Sequence, residues 1–415
     1  YPAMKRLRWP LLIVLLALAA IATLLFSQQK TLAPIEPQEI KPTTGGVYTE
    51  GLIGSLSRLN PLLDLYHPND HDVNRLIFSG MMRFDDRGIP QGELVESWGI
   101  SQDGRVYNFS LRPNVVWHDG EPVTSDDILF TIELLRNDES IAPQDIKDLW
   151  NKVTINLLDE KTIQFRLPEP FAPFLDYLTF GIVPKHLLEG LSYPDIINAD
   201  FNLNPIGSGP YRFEWLIVEE GQITGLVLTA FKDYPLKQPF IEQVVFKYFP
   251  ESLSALEAYR NQEILGIGHV TEDILPAVLQ EANLRLYTGR LPEMSIVFLN
   301  LDNPKVPFFS EKEVRRALLM GMNRQWMIDN LLGGQAILAN GPIFPNTWAY
   351  YEGIERVEYN PEAAIDLLKE AGYNGEEIVM VTNRDYDWMF KMIMAVSDQL
   401  KKNAGMNIKV EVLDW

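Results

Sequence analysis

The chain has 415 residues, 46% hydrophobic and 22% charged, an ordinary globular composition with enough material for two or three domains. It has no cysteine, which excludes disulfides, thiolate metal sites and thiol catalysis. Net charge is −20, divided into +3 over residues 1–46 and −23 over the rest; so acidic a body repels phosphate backbones and argues against a nucleic-acid partner.

The first signal lies at the N-terminus. Lys5, Arg6 and Arg8 precede an uncharged apolar run, residues 9–26. Residues 1–8 therefore read as a cytoplasmic basic region and 9–26 as a transmembrane anchor or signal segment. Ala20-Ile21-Ala22 offers a small-residue cleavage site, but Leu24, Leu25 and Phe26 carry the apolar run past it, which favours an uncleaved anchor. The basic side then stays inside the cell and everything after Ser27 lies outside. Pro34, Pro37 and Pro42 mark residues 27–46 as an extended linker.

Beyond the linker, GVYTE (46–50) reads as a strand, followed by a Gly/Ser/Asn-rich loop. Asn69 or Asp70 is placed to cap a helix through Val73, Leu76, Ile77, Gly80 and Met81. VYNFSL (106–111) alternates as a strand, Asp119-Gly120 makes a turn, and Thr124 or Ser125 caps the helix SDDILFTIELLRN. Strands follow at 153–159 and 162–167. Three more are expected at 211–215, 226–231 and 244–249, with a helix over 251–264 and a strand at 295–301. Ser310-x-x-Glu313 has the form of a capping box for a helix with Val314, Leu318 and Gly321 on one face. Asn360-Pro361 opens another helix, which Gly372 ends. A helix over about 386–403 and a strand from Lys409 close the chain. This interleaving indicates an α/β or α+β class.

IGSGPYRFEW (206–215) needs a closer reading, because two glycines one residue apart suggest a phosphate cradle. Pro210 has no N–H to offer an anion, and Arg212 stands where a third glycine belongs. Tyr211, Phe213 and Trp215 then alternate with Arg212 and Glu214. Gly207, Gly209 and Pro210 therefore form a tight turn into a strand. HPNDHD (67–72) carries His67 and His71 four residues apart, a metal-ligand spacing, but at a helix start where Asp and Asn serve as caps. His118, Asp119 and Ser125 invite a triad reading, yet Asp119-Gly120 is turn chemistry and no Gly-x-Ser-x-Gly elbow is present. Asp85-Asp86 and Asp126-Asp127 are sequence neighbours whose side chains diverge. No metal, cofactor or catalytic group is expected.

Several stretches, taken in order, resemble one family. They are 94–135 (LVESWGISQDGRVYNFSLRPNVVWHDGEPVTSDDILFTIELL), IGSGPYRFEW at 206–215, 298–350 (FLNLDNPKVPFFSEKEVRRALLMGMNRQWMIDNLLGGQAILANGPIFPNTWAY) and YNPEAAIDLLKEAGY at 359–373. Together they resemble the family 5 extracellular solute-binding proteins of ABC importers, over about residues 47–415. The resemblance implies a two-lobed, periplasmic-binding-protein-like α/β fold of class II. Lobe I is expected at 47–294, with an extra subdomain at about 75–200, and lobe II at 295–415. The family's chain continues beyond KVEVLDW, so lobe II is expected to be truncated here.

The resemblance also implies the activity: peptide binding between the lobes and delivery to a membrane permease, with an oligosaccharide or nickel chelate as other ligands. A transport-inactive tethered sensor or scaffold is the reading from a different class. Ligand contacts are implied for Glu50, Leu52, Asn300, Asn340, Gly341 and Trp348. Arg384, in VTNRDYDW, stands where some peptide binders place an arginine on the ligand carboxylate. Its other reading is a surface arginine paired with Asp385 or Asp387.

Overall fold

The computed structural model describes residues 43–413, apart from positions 86, 272, 290, 292, 346, 348 and 384–386, together with positions 16, 17 and 19. It forms two compact units, one running to Val270 and the other from Thr271 to Trp415. The principal elements of the first are β1 (Val47–Ile53), α1 (Pro68–Ile77), β2 (Met82–Phe84), β3 (Pro90–Gly92), β4 (Val95–Ile100), β5 (Val106–Leu111), α2 (Ser125–Leu135), α3 (Gln144–Lys152), β6 (Thr154–Asp159), β7 (Thr162–Arg166), β8 (Tyr211–Glu219), β9 (Gln222–Ala230), β10 (Gln243–Phe249), α4 (Ser252–Arg260) and β11 (Gly266–Ile267).

They build two sheets with separate cores. The first has the order β11-β1-β10-β9-β8, with β1 parallel to both β10 and β11. Leu52, Val73, Ile77, Leu226, Leu228 and Phe246 fill its core. The second is an antiparallel sheet of order β4-β5-β7-β6. Alternation in β5 buries Tyr107, Phe109 and Leu111 while Asn108 faces out. Trp150 lies between Phe165 and Phe174, 5.8 Å from each ring centroid, and anchors this second core.

The second unit contains α5 (Lys312–Gly321), α6 (Arg324–Leu331), α7 (Pro361–Glu370), β12 (Glu377–Thr382), α8 (Asp387–Ala404) and β13 (Asn407–Val412). β12 and β13 pair in parallel, joined through α8. Val314, Ala317 and Leu318 of α5 pack with Leu368 of α7, Leu400 of α8 and both strands through Ile378 and Ile408.

Local rules held where the chemistry was local. Asn360 accepts from the Ala363 N–H at 3.0 Å with Pro361 in the first turn, and Gly372 adopts φ +76° beyond the helix. Thr124 precedes α2, and the Asp127 carboxylate accepts from its backbone N–H at 2.8 Å.

Expectations about three elements are corrected. Helix α1 starts at Pro68, so Asn69 and Asp70 lie within its first turn rather than capping it, and Gly80 and Met81 lie beyond its end. The Asp70 carboxylate is used elsewhere, accepting from the backbone N–H groups of Ser57 and Arg58. Ser310 does not cap α5; its hydroxyl donates to the Pro307 carbonyl at 2.7 Å, and Glu311 takes the cap position. Residues 295–301 form no strand, because no ladder partner lies beside them among the described residues, and Phe298 is 88% exposed. Strand β12 went unread, although Ile378 and Thr382 are buried in alternation.

The turn at 207–209 is set by close approach. A Cβ on Gly207 would run into the Ile77 carbonyl oxygen, and one on Gly209 would sit 2.5 Å from the Leu76 oxygen. Gly99, in β4, has open space around it. Gly207→Ala should therefore cost about 3 kcal/mol or more in denaturant unfolding, while Gly99→Ala stays within about 0.5 kcal/mol of the parent.

Candidate ligand-binding site

Both glycine N–H groups of the turn are engaged within the protein. The Gly209 N–H donates to the Ile77 carbonyl at 2.8 Å, and the Gly207 N–H donates to His118 Nδ1 at 3.2 Å. His118 Nε2 lies 3.0 Å from the Gly209 carbonyl, and the His118 backbone N–H donates to the Gly207 carbonyl. Since Nδ1 accepts, the proton must sit on Nε2, which fixes a neutral tautomer. Burial, the dominant cause, holds the His118 pKa down at about 4. His118 is thus a structural clasp. Asp119 pairs instead with His186 at 2.9 Å, and the Ser125 hydroxyl donates to the Asp159 carbonyl at 2.6 Å. The three groups do not form a triad.

A buried carboxyl supports the same region. Glu93 accepts from the Gly80 N–H at 3.0 Å and from the Tyr234 hydroxyl at 3.2 Å. The Ser79 hydroxyl has one proton and two acceptors in reach, Glu93 Oε1 at 3.0 Å and the Ser208 carbonyl at 3.2 Å. Burial raises the Glu93 pKa against these donors.

Glu50 and Leu52 share one side of β1 with Tyr48. The Glu50 carboxyl is half-buried; burial raises its pKa, the Tyr48 hydroxyl hydrogen bond opposes that, and nearby Asp72 adds to it. The same burial and the charge of Glu50 push Tyr48 up to about 12. Leu52 lies inside the core of the first sheet. On and just beyond β11, Gly266 and Gly268 let the chain lie against this group: a Cβ on Gly268 would stand 2.8 Å from Glu50 Oε1 and 2.6 Å from Leu52 Cδ2. Tyr48 and the two glycines were missed in the sequence, where only the short Gly-x-Gly of residues 266–268 marked them.

In the second unit, Asn300 is exposed and its Oδ1 accepts from the Asp302 N–H at 3.2 Å. Asn340 presents a buried Oδ1 with no hydrogen-bond partner. Gly341 lies against Ile354, where an added Cβ would meet Cδ1 at 2.6 Å. The structure thus brings Glu50 together with Leu52, and Asn340 with Gly341, while Asn300 sits on a separate exposed segment. Trp348 and Arg384 lie outside the described residues.

The histidine-rich start of α1 is committed to protein contacts. His71 Nδ1 pairs with Asp64 at 3.3 Å, and Asp64 also accepts from Asn74 at 2.9 Å. Among the described residues no group of three or more His, Asp or Glu side chains is arranged to hold a metal ion.

Residues 90–415 match the family model described as bacterial extracellular solute-binding proteins, family 5 (middle). The chain belongs to this family. It is 26% identical over 438 aligned positions to the oligopeptide-binding protein AppA of Bacillus subtilis, covering 99% of this chain and 78% of AppA. It is 24% identical to the dipeptide-binding protein of Escherichia coli, covering 78% of this chain and 63% of that protein's length. Among solved structures, NikZ from Campylobacter jejuni in complex with Ni(L-His) superposes with a TM-score of 0.63 at 27% identity, covering 90% of this chain and 74% of NikZ.

The clasp carries a pH signature. Between about pH 6.5 and 4 the unfolded chain binds a proton at His118 that the folded chain refuses, so acidification through that window removes stability. The raised carboxyls Glu93, Glu50 and Asp70 act in the opposite sense, because the folded state takes their protons first. Comparison with His118→Asn isolates the histidine. The parent should lose on the order of 3 kcal/mol relative to the variant between pH 6.5 and pH 4 in denaturant titrations.

Proposed function

We propose that this protein is the extracytoplasmic solute-binding component of an ABC importer, which takes peptides between two lobes and hands them to a membrane permease. The family match over residues 90–415 carries this reading. Relatives named as oligopeptide- and dipeptide-binding proteins support peptide as the ligand class. Binding and release, rather than bond chemistry, is the activity: ligand occupancy favours a closed form that the permease engages.

Within this reading, Glu50, Leu52, Asn300, Asn340, Gly341, Trp348 and Arg384 contribute to the ligand surface. The half-buried Glu50 with its Tyr48 partner suits a donor or cation of the ligand, and Leu52 forms the floor beneath it. The unpartnered Asn340 acceptor suits a peptide N–H, since a buried carbonyl left unmatched costs about 1–3 kcal/mol. The apolar run at 9–26 acts as a single-pass anchor with the linker at 27–46 as its tether. Among the described residues no helix is long and apolar enough to cross a membrane, and nearly all of that run lies outside them.

A second reading keeps the family and changes the cargo. NikZ, at 27% identity, is described in complex with Ni(L-His), which makes a metal chelate the alternative ligand. Calorimetric titration of the purified chain separates the readings. The expected result is saturable heat with a randomised pentapeptide pool and none with nickel–histidine or a mixed oligosaccharide preparation. Saturation by nickel–histidine alone would replace the ligand class. No heat from any of the three would favour a tethered sensor or scaffold.

A further inference from the structure

Arg324 occupies an unexpected place. It is the first residue of α6, whose cap is Asn323, with Oδ1 accepting from the Trp326 N–H at 2.9 Å. A cation in the first turn opposes the helix dipole, at a cost of about 0.3–1 kcal/mol, where an acidic residue would help. No carboxylate among the described residues pairs with it. Its guanidinium donates instead to two main-chain carbonyls from distant parts of the sequence. Nη1 reaches Ala339 at 2.7 Å and Nη2 reaches Val357 at 2.9 Å. Burial, with no anion to offset it, lowers its pKa.

Those two carbonyls mark the base of a loop. Ala339 immediately precedes Asn340 and Gly341, and Val357 follows the return arm. Between the arms, Gly341 lies against Ile354. On the return arm, Glu355 is gripped by Arg316 of α5 through both terminal guanidinium nitrogens, at 2.9 and 2.5 Å. Downstream, the Asn360 N–H donates to the Met320 carbonyl at 2.9 Å, just before α7 begins. The return arm is therefore fixed to α5 at Glu355 and Asn360. The outgoing arm is tied across to it, and to α6, by Arg324.

We propose that Arg324 is a positioning residue for ligand binding. Its guanidinium fork bridges the two arms of the 339–357 loop and so holds the Asn340 carboxamide and the flat face of Gly341 where a ligand's amide group meets them. The proposal rests on the peptide-binding reading above for the ligand itself, but not for the bridge. A lysine cannot reproduce it, since an ammonium on a flexible stem is a point charge without the rigid fork that reaches two carbonyls at once. A residue that served only α6 would be improved by removing a cation from its first turn.

The test combines two readouts on the full chain. In hydrogen exchange of the ligand-free protein, R324K should speed amide exchange in 339–345 and 349–357 by about tenfold while α7 and β12 stay as protected as in the parent. Using the randomised pentapeptide pool and tryptophan fluorescence, R324K should weaken apparent affinity about fivefold or more. That loss should largely vanish in an N340A background, because the arginine acts through that side chain. Arg324→Gln, which has a shorter stem and a single carboxamide NH2 in place of the fork, provides the same comparison if R324K folds poorly. Unchanged exchange in the two arms would overturn the bridge. Additive effects of R324K and N340A would overturn its link to Asn340. Absence of any peptide binding by the parent would count against the ligand reading and against the positioning role with it, while the exchange result would still decide whether the arms are bridged.

Discussion

The contact between the Gly207–Gly209 turn and the end of helix α1 is the constraint on which the first unit depends. The Ile77 carbonyl accepts from the Gly209 N–H, and no Cβ fits at Gly207 or Gly209. Around this approach the chain assembles parts that are far apart in sequence: the end of α1, the loop after β5 that carries His118, the carboxyl of Glu93, and the start of β8. The turn sits where the two sheets of the unit meet in sequence, between the antiparallel sheet that ends at β7 and the return to β8. The N–H groups of Gly207 and Gly209 are engaged within the protein, which argues against a phosphate cradle, and His118 is held by the turn while its neighbour Asp119 pairs with His186.

Much of this was legible because it was local. The alternation in residues 106–111, the Asn360-Pro361 start and the Gly372 stop each depend on neighbours a few residues away, and each stands in the structure. What failed was decided by competing partners, near or distant. Asp70 has the chemistry of a cap, but two backbone N–H groups from the preceding loop claimed it. Ser310 closes its own short turn rather than opening the next helix. The alternation at 295–301 reads as a strand, yet a strand needs a ladder and none lies beside it among the described residues. Of the candidate site, Glu50, Asn340 and Gly341 came from resemblance to the family. Tyr48 and Arg324 could not be found that way, because their significance lies in which group each hydrogen bond reaches.

In the proposed function the two units contribute different polar chemistry. The first offers a carboxyl whose pKa is raised by burial, with its tyrosine partner opposing the shift. The second offers a carboxamide on a loop whose arms are bridged by an arginine. Both are suited to holding an uncharged or cationic ligand group by hydrogen bonds set in advance, so that little ordering is left to be done when the ligand arrives. Among the described histidines, His71 is committed to Asp64 and His186 to Asp119.

The central claim is that the protein carries peptide. Solute-binding proteins that hold ligand tightly retain it through gentle purification, so the most direct measurement is mass spectrometry of what is released when the purified protein is denatured. The account predicts a set of short peptides of varied side chains, present in molar proportion to the protein. A single released metal chelate or oligosaccharide, with no peptide, would contradict it.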